Sequence, residues 1–240
     1  MRVFLYISYD GSKFQGFQQQ PNKTAVMDKI IFALKELGIT SKPIGSSRTD
    51  RGVHALNQVV HVDIPPFWND LQKFQNTLNC LLSPHIFVRK ISISSFHARF
   101  DAKKRVYRYV CYTGKYSPFL SDYALFLPKF DLPLLNKTLS LFVGAHDFGF
   151  FKKTGSPTKS DIRSLYKADV YTHKNFLVFR FAAEGFLRSQ VRMMTAAALA
   201  VQEGALHIED LRAQIDKKKR VFTKALLPCG LYLSRIYYEF

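Results

Sequence analysis

Two hydrophobic periods take turns along this 240-residue chain, and their order restricts the fold more than any other feature. Val3 to Tyr9 alternates at period two, as a strand with one face on a core does, and stops at the turn pair Asp10-Gly11. Met27, Ile30, Ile31 and Leu34 then recur at helical spacing, with Thr24 as N-cap and Gly38 as the stop. A short strand at Pro43 to Gly45 precedes a longer one from Gln58 to Ile64. There Val60, Val62 and Ile64 take one face and Val59, His61 and Asp63 the other. Leu71, Phe74, Leu78 and Leu81 mark a second helix, closed by Ser83-Pro84, and Phe87 to Ser94 is a strand. The order is β-α-β-β-α-β.

The second half gives the same order with no visible repeat of sequence. Val106 to Tyr112 reads as a strand, and Leu135, Leu139 and Phe142 as a helix. Leu165 to Thr172 and Phe176 to Glu184 form a hairpin around His173-Lys174-Asn175. Leu187, Val191, Met194 and Ala198 define a longer helix. A short one through Ile208, Leu211 and Ile215 precedes the last strand, Leu231 to Tyr237. The expected class is α+β: two ferredoxin-like βαββαβ halves, 1–102 and 103–240, each an antiparallel sheet with helices on one face.

Charge is the second constraint. Thirty-five Lys and Arg face 18 Asp and Glu, a net +17. Such an excess repels itself in a compact fold, so a polyanionic partner is the natural reading and a basic membrane-surface protein its rival. The rival lacks a long basic amphipathic helix and any lipidation signal. The start, MRVFLYISYDG, does not read as a signal peptide, and the longest apolar run, Met193 to Val201, is too short to cross a bilayer. Cys80, Cys111 and Cys229 match no metal or redox spacing, so reduced thiols and a cytoplasmic address are expected.

A Walker-type loop, a dinucleotide fingerprint, an HExxH helix and Cys-His ligand spacing are all missing, so neither cofactor nor metal is expected. His54 and His61 read as structural. One stretch is harder to dismiss: SSRTDRGVHALNQVVHVD, residues 46 to 63, sets Asp50 between Arg48 and Arg51, two positions before Gly52. The plain reading is a surface turn with exposed ion pairs, worth about 0–1 kcal/mol. The other is a carboxylate kept ionised for chemistry on an anionic substrate.

Two features could converge on that acid. On strand 106–112, Tyr107, Tyr109 and Cys111 share a face with Arg108 opposite. A tyrosine there could stack on a base, although a core aromatic suits at least one of the pair. Arg188 and Arg192 stand one helical turn apart, on a solvated face or as buried charge beside Leu187, Val191 and Met194. A buried arginine needs an acidic partner, Asp50 would be a fitting one, and the pairing would favour the ionised nucleophile.

Seven segments then stand in order: YDGSKFQGFQQQPN at 9–22, SRTDRGVHA at 47–55, LNCLLSPHI at 78–86, FHARFDAKKRVYRY at 96–109, GAHDFGFF at 144–151, GFLRSQVR at 185–192 and PCGLYL at 228–233. With them the chain resembles, nearly end to end, the TruA family of tRNA pseudouridine synthases. The resemblance implies that Asp50 is catalytic, that Arg48 helps displace the target nucleotide, and that Tyr107 packs on the target base. It implies that Arg192 pairs with Asp50 and that Leu231 lines the pocket. It further implies sheets joined into one larger mixed or antiparallel sheet, with a catalytic cleft between a half carrying the aspartate loop and a half carrying the tyrosine strand and the FLxxxVR helix.

The implied reaction is isomerisation of uridine to pseudouridine in tRNA, at positions 38 to 40 of the anticodon arm, by a homodimer without cofactor. Lys152 and Lys153, the segment GSPTKSDIR at 155–163, and Lys217 to Arg220 are candidates for phosphate contacts, with a solvated surface as the alternative. Ser47, Arg51, Gln190, Ala196 and the LLPCGL segment at 226–231 depart from the family pattern. A non-catalytic RNA-binding protein, an assembly factor for ribonucleoproteins and the same isomerisation on another RNA are the alternatives.

Overall fold

Strand pairing shows how the first of two compact units is built. The computed structural model describes residues 1–155 and 158–239, so Ser156 and Pro157 of the segment GSPTKSDIR lie outside the described residues. The unit runs β1 (Arg2–Tyr9), α1 (Val26–Glu36), β2 (Ile44–Gly45), β3 (His54–Asp63), α2 (Leu71–Leu82) and β4 (Ile86–Ile93). β1 is central and antiparallel to both β3 and β4, and β2 pairs with β3. Val3, Leu5 and Ile7 are fully buried on one face of β1 and meet the core to which α1 gives Ile30 and Ala33 and α2 gives Phe74 and Leu78. On the other face Phe4 packs at 4.8 Å, ring tilted by 51°, against Tyr238, whose hydroxyl donates to Ala98 O at 2.8 Å. Contacts of this kind place the chain from Leu233 onward with Met1–Lys103.

The second unit, Lys104–Tyr232, contains β5 (Lys104–Tyr112), β6 (Leu125–Phe126), α3 (Leu132–Ser140), β7 (Gly144–Asp147), β8 (Ile162–His173), β9 (Phe176–Ala183), α4 (Gln190–Gln202) and α5 (Ile208–Ile215). It also holds the first residues of the final strand, β10 (Leu231–Tyr237). The sheet order is β5-β9-β8-β7, antiparallel throughout, with β6 parallel to β5. The β8–β9 hairpin turns at Lys174 with φ 52°, and His173 faces Phe176 across it. The α+β class expected from the sequence is the architecture found.

Several elements differ in detail from the expectation. The N-cap of α1 is Ala25, not Thr24, because the Asp28 carboxylate reaches back to accept the Ala25 N–H at 3.0 Å. Leu81 is exposed and Leu82 takes its place in the core. β3 starts at His54, four residues early, and buries both faces from Gln58 to Val62. α4 starts only at Gln190, because Ser189 adopts a left-handed φ of 60°. Arg188 and Leu187 therefore precede the helix, and the one-turn pairing of Arg188 with Arg192 does not exist. The strands β6 and β7 are too short to show a period. Among the described residues, no helix is long and apolar enough to cross a membrane.

Candidate active site

Asp50 stands at a bend locked from several sides. The Val53 N–H donates to Asp50 O at 3.2 Å, closing a turn that Gly52 completes with φ 77°, a conformation other residues resist. On the upstream side Phe17 N–H donates to Thr49 O at 3.1 Å, and the buried Thr49 hydroxyl bonds the Tyr9 hydroxyl at 2.8 Å. Two positions before Arg48, Ser46 N–H donates to Val59 O at 2.9 Å. Ser47 is gripped by the fully buried Gln58: its carbonyl accepts from Nε2 at 2.7 Å and its N–H donates to Oε1 at 3.2 Å. Oε1 accepts a second N–H, from Val59, at 3.1 Å. Arg48 and Arg51 are exposed while Asp50 is half-buried, so the bend shows solvent its cations and shelters its acid.

The motif at 9–22 serves this bend. A Cβ on Gly11 would lie 2.0 Å from Val53 O, so only glycine lets the chain pass there. The Gly11 N–H donates to His54 Nδ1 at 3.1 Å, and Asp10 Oδ1 lies 3.4 Å from the same nitrogen. The backbone amides of Val26 and Met27 donate to Gly16 O and Phe17 O, which ties the segment to the start of α1. Burial of Gln58, Thr49, Tyr9 and His54 strengthens the neutral hydrogen bonds that fix the acid's backbone.

The second unit carries the other candidates. Tyr107 on β5 is 94% buried, because 6% of it is exposed, and its ring meets Phe186 edge-on at 5.2 Å. Tyr109 is the core aromatic of the pair: fully buried, it donates its hydroxyl to Leu227 O at 2.8 Å. Burial pushes the Tyr109 phenol above its ordinary range, despite a smaller opposite pull from Arg192. From Gln190 to Val201, every residue of α4 is buried except Arg192, which is half-buried. Its Nε donates to Leu226 O at 2.6 Å, and Leu226 N–H returns a bond to Arg192 O at 3.3 Å. Leu231 is buried at the start of β10, directly after Gly230, where a Cβ would lie 2.6 Å from Val110 O.

These contacts bear on the departures from the family pattern. Gln190 is fully buried and accepts the Leu187 N–H at 2.8 Å, so it braces the turn that carries Arg188. Leu226 and Leu227 work through their carbonyls, which any residue supplies. His54 and His61 both spend Nδ1 on a buried backbone N–H, of Gly11 and Ala98, as structural histidines do. The thiol of Cys111 is pushed up by burial, which suits an inert core cysteine. Reading the sequence missed Gln58, although it has the same strand parity as Val60 and Val62. A polar residue on a core face was the available signal.

A family model described as tRNA pseudouridine synthase matches residues 139–239, from α3 through β10. Over 240 residues the chain is 42% identical to tRNA pseudouridine synthase A of Campylobacter jejuni subsp. jejuni, covering 99% of this chain and 100% of that protein. It is 40% identical over 245 residues to the protein of that name from Helicobacter pylori, again with 99% and 100% covered.

Proposed function

This chain belongs to the tRNA pseudouridine synthase A family, and on that premise we propose that Asp50 attacks the target uridine, with Arg48, Tyr107, Arg192 and Leu231 as its helpers. The enzyme isomerises uridine to pseudouridine in tRNA. The N-glycosidic bond breaks, the uracil turns in place, and C5 bonds to C1′. No atom is added or lost, so ordinary side chains suffice.

The observation that carries the assignment is the lattice around the bend. Nucleophilic attack needs a carboxylate held in one place, and a backbone bonded through Thr49, Asp50 and Val53, with Ser47 gripped by Gln58, holds it. Attack falls on C1′ or on C6, each followed by the same migration of the base. A stacked uridine must first leave its stem, at about a few kcal/mol. The exposed Arg48 is placed to offset part of this by entering the vacated space. Tyr107 packs on the uracil and accepts a role in proton loss from C5. Arg192 is the cationic partner of Asp50. Leu231 keeps water from the detached base.

The substrate site is the anticodon arm at positions 38 to 40, and the working form is a homodimer in the cytoplasm. Release of tritium from C5-labelled uridine in tRNA tests the core of this reading. Asp50→Asn should cut turnover by more than about 1,000-fold while tRNA binding persists. Undiminished turnover would remove Asp50 from the chemistry, and an RNA-binding module without activity would show none in the wild type either.

A further inference from the structure

The second unit contains a cavity of about 270 Å³ whose wall includes Lys152, Lys153, Ser189, Arg192, Arg220 and Thr223. None of its lining residues is acidic. The basic runs that touch it are sorted by their partners. Lys152 lies 2.6 Å from Asp161 and is neutralised there. Within Lys217 to Arg220, Lys217 sits 3.3 Å from Asp147 and 4.1 Å above the Phe150 ring. Lys218 lies 3.2 Å from Asp216, and Lys219 lies 3.9 Å from Asp210. Arg220 and Lys153 have no carboxylate within ion-pair distance among the described residues, and both line the cavity. The 13-residue helix α4 starts at its rim, after Ser189, and adds the positive end of its dipole.

We propose that this cavity binds one phosphodiester of the substrate RNA, with Lys153 and Arg220 as its charged contacts and the first turn of α4 at its rim. This rests on the function given above, and it makes the cavity a register point: Arg192 lines the wall while serving Asp50, so the held phosphate belongs to the backbone near the target nucleotide. A diester fits the site better than a free anion. The wall is open, with Lys153, Thr154, Arg220 and Thr223 exposed, so a continuous strand can run through it. The two cations can each take one of the two non-bridging oxygens that share a diester's single charge.

The contact forms before the chemistry and persists through it, so it acts on binding rather than on turnover. The double variant Lys153→Gln, Arg220→Gln should raise KM for tRNA about tenfold and move kcat less than twofold. The slope of log affinity against log salt should become shallower by about one phosphate's worth, 0.7 to 0.9. Lys29→Gln, Lys35→Gln removes the same charge from exposed positions of α1 and serves as the matched control. Inorganic phosphate, compared with chloride at equal ionic strength, should compete with tRNA for the wild type and lose that effect in the first variant. Equal KM and equal slope in both double variants would overturn the cavity as a site, leaving only general attraction. Filter-binding of tRNA gives the same comparison without turnover, so an inactive wild type would sink the proposed function and still test the cavity.

Discussion

The bend at Asp50 and the arginine on α4 are held by different means. Around Asp50, backbone bonds at Ser46, Thr49 and Asp50 are reinforced by particular residues: Gln58 on Ser47, Tyr9 on Thr49, and a missing Cβ at Gly11. At Arg192 two bonds are exchanged with the backbone of Leu226, inside a cation-rich wall. The first arrangement gives a position intolerant of substitution. The second leaves a support that tolerates changes of residue, in keeping with the RNA contact proposed above. A nucleophile needs the former, because small displacements cost rate steeply. A charge that meets a polyanion can be held more loosely.

The strongest challenge to this contrast is Gly11→Ala. Its methyl would stand 2.0 Å from Val53 O, a backbone atom that cannot move without shifting the end of the turn. Overpacking against backbone should cost about 3 kcal/mol or more, read as a fall in the urea midpoint, with activity lost alongside. Survival of both would show that the segment at 9–22 is not the brace described. Gln58→Leu comes next. It keeps the volume and leaves Ser47 N–H and O without their buried partner, at about 2–3 kcal/mol. Its mark should also appear in kcat, and Gln58→Glu, which retains one acceptor oxygen, should recover part of it. A loss of stability with kcat intact would separate the clamp from the chemistry.

The same unit holds a buried titratable group apart from that bend, His61, which gives the fold a pH dependence. Burial first, then the charges of Arg2 and His97, pushes its pKa down to about 4, against smaller upward pulls from Asp63 and Asp101. Its Nδ1 accepts the Ala98 N–H at 3.0 Å, which requires the unprotonated ring. The unfolded chain therefore binds the proton that the folded one refuses. Stability is fully present above the ordinary value near 6.5 and falls as pH drops toward 4. The loss should reach about 2 kcal/mol by pH 5. Urea midpoints at pH 7 and pH 5 measure it, and His61→Gln, still able to accept from Ala98, should flatten the difference. An equal slope in that variant would assign the effect elsewhere.

How much of this could be read beforehand depended on which atoms do the work. Strands such as β1 and β10 announce themselves because alternate residues meet a core, and the Asp50 bend because Gly52 marks a left-handed turn beside charge. Arg188 was misplaced because period 3.6 runs unbroken through Leu187, while the break lies in the φ of Ser189, which no hydrophobic pattern records. The strands β6 and β7, of two and four residues, are set by their neighbours and not by a period of their own. The roles of Leu226 and Leu227 had no signal at all, since a carbonyl carries no residue identity.

That last point yields the smallest effect and the sharpest test of the contrast. Leu226→Ala keeps the carbonyl that accepts from Arg192 Nε and the N–H that donates back, and it trims a half-buried side chain. It should cost less than about 1 kcal/mol and change kcat less than threefold. Leu226→Pro removes the N–H and also fixes φ, so a larger fall in kcat there than in the alanine variant is expected, with tRNA affinity little altered. Were alanine as damaging as proline, the leucine side chain itself would be holding Arg192, and the two regions would be built by the same means after all.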